Sequence, residues 1–378
     1  MVKKLTSQNL MVYFCDVTGL ETQMIIAFLV AVSSLIAGML VAFFLRPIAI
    51  DLGIVDKPGE RKLHVGEIPL IGGPLILLVT LIGASLISVD FPEGAFIAGG
   101  LIVMLGVMDD KYDISAKLKL AMQVAIACLV IFLDKELIVD IGILQNDFAN
   151  PSLQPVHFGL AVLAIVVGVN ALNLIDGIDG LAASIVLVIL LNANLAFIFS
   201  GLPLPSDILI QSVLLAGVLC SFLVFNLGLI SGKKIFLGDS GSMLVGLYIT
   251  NMLIEISQAP ASNSGVTIPA TLCLWLTAVP VTDMLVTFMG RVLKGKSPFA
   301  PDRTHLHHRL ADMGLSKWYV LLTILGASTI IFWAGAAITR QFGEAASLLA
   351  YVLYFASYVI FVIALSRAQN KINSAIAE

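Results

Sequence analysis

The stretch "AIVVGVNALNLIDGIDGLAASIVLVIL", residues 164–190, joins two long apolar runs through a short polar segment. Its polar side chains recur at every third position, which on a helix forms a drifting polar stripe: Asn170, Asn173, Asp176 and Asp179. An acidic side chain at the middle of a bilayer costs about 2.5–3.5 kcal/mol. The stretch therefore predicts two membrane-spanning helices whose shared end faces a wet, protein-lined cavity. A polar contact between helices is the simpler alternative.

The composition extends this prediction to the whole chain. Of 378 residues, 59% are hydrophobic and 12% are charged, and the mean hydropathy is +1.01. A soluble domain carries about 25% charged residues. The apolar runs are unbroken rather than alternating, which indicates helices. Each run is close to the roughly 20 residues that a bilayer requires.

We therefore predict an all-α, polytopic membrane protein in which residues 1–378 form a single domain. About eleven transmembrane helices are expected, near 22–45, 70–89, 92–108, 118–134, 158–175, 180–200, 207–228, 240–257, 266–290, 318–338 and 345–365.

The distribution of Lys and Arg predicts the orientation of these helices. Of the 21 basic residues, 17 fall on the side reached after the first span and 4 on the other. Basic residues accumulate on cytoplasmic loops. This predicts that the amino terminus lies outside and that a tail over about 367–378 lies in the cytoplasm. Nearly all unusual polar residues lie on five predicted cytoplasmic loops, so the active site is expected on that face.

Two acidic motifs follow or precede predicted spans. In "GVMDDKYDISAKLK", Asp109 and Asp110 directly follow a span. Adjacent carboxylates repel unless a cation or proton lies between them, so a metal–phosphate site, a general base and a solvated helix end are all open. Lys117 is a candidate phosphate contact. In "KKIFLGDSGSMLVG", Asp239 opens a span and is either a helix cap or a ligand at a helix amino terminus.

The stretch "SPFAPDRTHLHHRL", residues 297–310, contains three of the five histidines, with an arginine on each side. A zinc site is one interpretation, but no cysteine lies nearby and two of the histidines are adjacent. Phosphate recognition by arginine and imidazole fits better. A second basic stretch, "DKPGERKLHVGEIPLIGG", holds His64 and is either an anion-binding loop or a basic turn. Asp283 lies inside the ninth predicted span, as a buried partner or a cavity residue.

Together, the acids suit Mg²⁺ and the basic residues suit phosphates, which is the arrangement used for phosphoryl transfer. Carboxylates at the lipid boundary suggest one lipid and one soluble substrate. A transporter would carry polar residues along a midplane path, often in repeated halves, and no clear repeat is visible. An intramembrane metalloprotease would require an HExxH-like helix, which the sequence lacks.

The motifs "MDDKYDISAKLK", "NALNLIDGIDGLA", "FLGDSGSMLVG" and "SPFAPDRTHLHH" resemble those of the polyprenyl-phosphate N-acetylhexosamine-1-phosphate transferases, most closely the bacterial members that use UDP-GlcNAc. The resemblance implies transfer of GlcNAc-1-phosphate to undecaprenyl phosphate with release of UMP. That reaction is the first membrane step of a cell-surface glycan such as O-antigen, enterobacterial common antigen or a teichoic-acid type. The alternative is the same family with another UDP-HexNAc donor.

The resemblance also implies Mg²⁺, with Mn²⁺ as a substitute, no nucleic acid and, by analogy, a homodimer. It implies that the surrounding lipid bilayer is the bacterial cytoplasmic (inner) membrane, with the short amino terminus in the periplasm. It assigns catalysis to Asp109, Asp110, Asp176 and Asp179, and the metal to Asp239 and Asn173. Substrate-binding candidates are Lys117, Asn170, Arg291, Arg303, His305, His307, His308 and His64. The "HLHH" sequence argues against the related translocase that uses UDP-MurNAc-pentapeptide.

Overall fold

The computed structural model describes residues 7–57, 66–87, 91–135, 137–141, 153–258, 268–299 and 303–377, with side chains described from residue 21 to residue 367. The helices are α1 Ser7–Asp51, α2 Gly72–Ile87, α3 Glu93–Tyr112, α4 Ala116–Asp134, α5 Gln154–Ile175, α6 Leu181–Ser200, α7 Ser206–Asn226, α8 Gly238–Gln258, α9 Ala270–Leu276, α10 Ala278–Leu293, α11 Leu306–Asp312 and α12 Lys317–Ala377. The two strands, β1 Val55–Asp56 and β2 Ile68–Pro69, form a short antiparallel pair.

The chain is helical throughout its described core, and a membrane-protein fold is confirmed. Among the described residues, six helices are long and apolar enough to cross a membrane: Glu21–Asp51, Ala116–Asp134, Gln154–Ile175, Leu181–Ser200, Ser206–Asn226 and Lys317–Arg367. A seventh is added if α9 and α10, which meet at a 73° bend, form one broken span.

Each of the eleven predicted spans overlaps a helix, but the count of eleven stays a prediction. Helix α1 begins at Ser7, well before the predicted start at residue 22. The two predicted spans 318–338 and 345–365 both lie in α12, which is interrupted at Gly343, where φ is 82° and ψ is 176°. Left-handed backbone of this kind favours glycine, so the glycine marks a break within the 51-residue apolar segment.

Helix α8 is the centre of the bundle. It packs against α2, α3 and α5, and sixteen of its 21 residues are buried. Its buried side chains include Thr250 and Asn251, which face other helices rather than lipid. This position explains why a helix with polar interior residues can lie at membrane depth, because its neighbours and not hydrocarbon surround them.

Close helix packing around the start of α8 depends on glycine. A Cβ on Gly106 of α3 would overlap the backbone of Ser240, and a Cβ on Gly73 of α2 would lie 2.6 Å from the carbonyl carbon of the same residue. Small residues allow helix backbones to approach within a membrane. The ends of α2, α3 and α8 therefore converge at one point of the bundle.

The loops at this end of the bundle are joined to each other. The Phe236 N–H donates to the Pro69 carbonyl over 2.9 Å, and the Gly72 N–H donates to the Phe236 carbonyl over 3.2 Å. These bonds tie the segment after β2 to the segment before α8. The segment that leads into α8 is consequently held in place through both hydrogen-bonding groups of the Phe236 backbone.

Replacing Gly106 with alanine should destabilise the protein, because the added methyl group meets the backbone of Ser240. Overpacking of this kind costs about 1–3 kcal/mol. We expect a lower thermal unfolding temperature for purified Gly106→Ala in detergent. Gly100→Ala is the matched control, since Gly100 lies on the same helix with open space around it. Equal unfolding temperatures for the two variants would contradict this packing.

Candidate active site

A polar cavity of about 760 Å³ lies where the ends of α3, α5 and α8 meet. Seven aspartates and two asparagines line it: Asp56, Asp109, Asp110, Asp113, Asp176, Asp179, Asp239, Asn173 and Asn226. The structure thus brings together the three acidic motifs, which are far apart in the sequence.

Asp110 connects α3 to α8. Its Oδ1 accepts the backbone N–H of Asp239 over 2.9 Å, and its Oδ2 accepts that of Ser240 over 3.4 Å. The first N–H groups of a helix have no partner within the helix, and a carboxylate there also meets the positive end of the helix dipole. The last turn of α3 therefore caps α8. The sequence offered Asp239 as either a helix cap or a ligand, and its own backbone N–H is capped by Asp110.

Lys119 lies between two carboxylates. Its Nζ is 2.6 Å from Asp109 Oδ2 and 2.7 Å from Asp239 Oδ2. Asp109 Oδ1 also accepts the N–H of Ile114 over 2.9 Å. The sequence-based candidate was Lys117, two positions earlier, which is exposed. The sequence analysis missed Lys119, although two lysines two positions apart on α4 point in different directions, so that only one can face the acids.

Crowding raises the pKa of three of these acids. Burial, together with the hydrogen bond to Asp239, raises the pKa of Asp109 to about 6. Burial and the negative charge of Asp239 raise the pKa of Asp110 to about 7. For Asp176, burial and then the charges of Asp239 and Asp110 raise the pKa to about 8. The cavity therefore holds more negative charge than its own cations neutralise.

Asp176 is the acid with the least compensation. Among the described residues, none donates a hydrogen bond to its carboxylate, and the charges around it are those of Asp239, Asp110 and Asp179. Its neighbour Asn173 donates from Nδ2 to Ser242 Oγ over 3.0 Å, which leaves the amide oxygen as an acceptor. An oxygen-rich corner of this kind suits a hard cation.

Asn170 and Asp179 are each held by protein partners. Asn170 does not line the cavity; its Nδ2 donates to Gln123 Oε1 over 2.7 Å. Asp179 Oδ2 lies 2.8 Å from Lys234 Nζ and 3.0 Å from Lys317 Nζ. The two lysines come from the segment before α8 and from the start of α12, so Asp179 joins distant parts of the chain at the cavity wall.

We call residues 305–308 the histidine segment. It is anchored by Asp283, which is buried inside α10. Its Oδ2 lies 2.8 Å from His305 Nδ1, and its Oδ1 accepts the N–H of Leu306 and the hydroxyl of Tyr358, each over 2.9 Å. On the other side of the ring, His305 Nε2 lies 3.4 Å from Arg291 Nη2. His305 and Arg291 are therefore engaged within the protein, and Asp283 proves to be a buried partner of the loop.

His307 faces the acidic cavity. Its ring lies against Gly177, so closely that a Cβ there would overlap Nε2. The side chain is buried, and both ring nitrogens lack a hydrogen-bond partner among the described residues. Burial, reinforced by the charge of His308, lowers the pKa of His307 to about 3. The neutral imidazole thus has one donor and one acceptor that no described residue engages.

The remaining candidates lie further out. His308 is half-buried, and its ring is tilted by 50° to that of His307, with the ring centroids 4.2 Å apart. Arg303 is exposed and pairs with Asp312 over 3.0 Å. His64 lies outside the described residues.

Taken together, these features define a multi-pass membrane protein with an acidic cavity at one end of its helices. Residues 94–257 match the family model described as glycosyl transferase family 4. The undecaprenyl-phosphate alpha-N-acetylglucosaminyl 1-phosphate transferase of Escherichia coli K12 is 30% identical over 290 residues, covering 75% of this chain and 77% of that protein. Its counterpart in Salmonella typhi is 30% identical over 305 residues, covering 80% of each.

A third relative is the probable undecaprenyl-phosphate N-acetylglucosaminyl 1-phosphate transferase of Bacillus subtilis, 32% identical over 311 residues, covering 80% of this chain and 81% of that protein. The chain belongs to glycosyl transferase family 4 and is an enzyme of the glycosyl-1-phosphate transferase type.

A double substitution tests the contact between His307 and Gly177. Gly177→Ala alone should lower the thermal unfolding temperature, because its methyl group overlaps the imidazole. Adding His307→Ala should restore much of the loss, since neighbouring residues show non-additive effects. The unfolding temperatures of the two single variants and the double variant measure this. Strictly additive losses would show that the two residues are not in contact.

Proposed function

We propose that this enzyme transfers GlcNAc-1-phosphate from UDP-GlcNAc to undecaprenyl phosphate, releasing UMP and forming undecaprenyl-diphosphate-GlcNAc. An oxygen of the lipid phosphate forms a bond to the phosphorus that carries the sugar. The bond from that phosphorus to the bridging oxygen breaks, and this oxygen leaves with UMP. The names of the relatives in Escherichia coli and Bacillus subtilis support this reaction.

The observation that carries the proposal is the charge imbalance of the cavity. Seven aspartates line it, whereas its nearest lysines, Lys119, Lys234 and Lys317, are already paired with carboxylates. A phosphate entering such a cavity would be repelled unless further positive charge came with it. A nucleotide diphosphate bound together with Mg²⁺ meets this requirement.

The donor set fits Mg²⁺ bound in this way. Among the described residues, no three His, Cys, Asp or Glu side chains converge on one metal position. Mg²⁺ keeps several waters and commonly takes one or two carboxylates plus substrate phosphates. Asp239, Asn173 and the uncompensated Asp176 would hold it. When bound, the ion would neutralise charge on the diphosphate.

The side chains then divide the work at the two phosphates. Lys119, held between Asp109 and Asp239, would bring a positive charge to the attacking lipid phosphate. Asp109, whose pKa is raised to about 6, would accept the last proton of that phosphate. His307, neutral and unpartnered, would donate a hydrogen bond to the diphosphate. These roles position both phosphates and limit the loss of entropy in the transition state.

The membrane placement belongs to the same proposal. The cavity would open to the cytoplasm, where UDP-GlcNAc is dissolved, and the lipid acceptor would arrive from the inner leaflet. The excess of Lys and Arg on the predicted loops at this end of the helices supports that orientation. The proposal leaves three points open: another UDP-HexNAc as the donor, the identity of the downstream glycan, and a homodimer.

The reaction is tested by UMP release from the purified full-length protein in detergent. We expect release with UDP-GlcNAc and Mg²⁺ only when undecaprenyl phosphate is present, and loss of release on chelation with recovery on adding Mg²⁺ or Mn²⁺. UDP-GalNAc in parallel identifies the alternative donor. Release without the lipid would point to a UDP-sugar hydrolase and sink the proposed transfer.

The two lysines of α4 provide a matched pair of variants. Lys119→Met should lower kcat/KM at least about 100-fold, because it removes a charge placed between two carboxylates. Lys117→Met removes the same charge from an exposed position two residues away and should cost less than about tenfold. Initial rates of UMP release compare them. A larger loss for Lys117→Met would restore the assignment made from the sequence.

A further inference from the structure

A second cavity, of about 430 Å³, lies between α10 and the second half of α12. Five basic residues line it: Arg291, Lys294, Lys296, Arg309 and Arg367. The carboxylate in its lining, Asp283, is already bonded to the histidine segment and to Tyr358. We name this cavity the basic pocket. Its lining is net positive, whereas the lining of the active-site cavity is net negative.

The arginine at the centre of the basic pocket is fixed in place before any ligand arrives. Arg309 donates from Nε to the Thr304 carbonyl over 2.5 Å and from Nη1 to Ser366 Oγ over 2.6 Å. A guanidinium held in this way loses little conformational entropy when it binds an anion. The carboxyl end of α10 also lies nearby, and its partial negative charge of about half a unit is outweighed by the five cations.

The wall of the basic pocket is apolar. Val359, Val362 and Ile363 of α12 and Met289 of α10 belong to its lining, and Met289 and Ile363 are each 47% exposed. Arg291 and Arg367 lie just past the ends of two predicted spans, at 290 and 365, and Val359, Val362 and Ile363 lie one to two turns before Arg367 on α12. Along α10, Arg291 is about 12 Å from Asp283 at 1.5 Å per residue. Cationic side chains at the end of an apolar groove match the anionic headgroup and the acyl chain of a lipid at the membrane surface.

The basic pocket is separate from the active-site cavity. The two share no lining residue, and the short helix α11 stands between them. His307 of this helix faces the acids, whereas Arg309, two positions on, lines the basic pocket. A lipid phosphate held by Arg309 would therefore lie beyond the histidine segment from the carboxylates and would not be placed to react.

We infer that the basic pocket binds the phosphate headgroup of an anionic phospholipid, which is not a substrate, with an acyl chain along the groove between α10 and α12. The lipid would join α10, α11 and α12 and thereby hold the histidine segment against the active-site cavity. Lys294 and Arg367, both exposed at the rim, would contact the headgroup phosphate.

The experiment is a lipid titration of the full-length protein in neutral detergent, followed by thermal unfolding without substrate or metal. Phosphatidylglycerol should raise the unfolding temperature in a saturable manner, whereas phosphatidylcholine should not. Each basic residue strengthens attraction to anionic lipid by about fivefold. Lys294→Gln/Arg367→Gln should therefore shift the titration midpoint to roughly 25-fold higher lipid. The control Lys111→Gln/Lys233→Gln, two exposed lysines outside the basic pocket, should titrate like the wild type.

The other outcomes overturn the inference. An unshifted midpoint in the pocket variant, or equal stabilisation by phosphatidylcholine, would remove the site. Equal stabilisation by inorganic phosphate would make it a free-phosphate site, and displacement of phosphatidylglycerol by undecaprenyl phosphate would make it the acceptor site. If the double variant does not fold, Arg367→Gln alone and the wild type in 0.5 M salt must still show the weakening. Because no turnover is measured, failure here leaves the proposed reaction standing.

Discussion

The hydrogen bonds from the first backbone amides of α8 to the carboxylate of Asp110 fix the geometry of the active-site cavity. A buried helix end without hydrogen-bond partners is costly. The junction between α3 and α8 is therefore kept even if other parts of the bundle shift. This junction places Asp109 on one side of Lys119 and Asp239 on the other. It also needs Gly106, because any side chain there would separate the two helices. Asp109 and Asp239 are thus positioned by the capping of α8.

The acids themselves could be found from the sequence, because a carboxylate or amide at the end of an apolar run is costly in lipid and therefore conspicuous. Asp110, Asp176 and Asp239 all appear in one cavity, as that reasoning predicts. The choice among neighbours could not be made in the same way. Lys117 and Lys119 differ only in direction around α4. Likewise His305 turns toward Asp283 and His307 toward Gly177, although only one residue lies between them.

The fold shows a similar limit. Hydropathy identifies the lipid-facing helices and predicts a span at 240–257. It does not show that α8 is surrounded by other helices, with Thr250 and Asn251 buried. The break at Gly343, by contrast, falls between the predicted spans 318–338 and 345–365, so hydropathy does locate it. The burial of α8 depends on which helices are its neighbours, and that information is carried by long-range packing rather than by local composition.

The positions of the cations bear on how an acidic cavity could handle phosphates. Arg291 contacts His305, and Arg309 contacts Ser366. Both arginines line the basic pocket and not the acidic cavity. If they faced the acidic cavity, they would neutralise the carboxylates, and the site would have no need of a cation arriving with its substrate. Asp283 prevents this by holding the histidine segment as a partition. The histidine segment therefore keeps the acidic residues of one cavity apart from the basic residues of the other, and both proposals depend on this separation of charge.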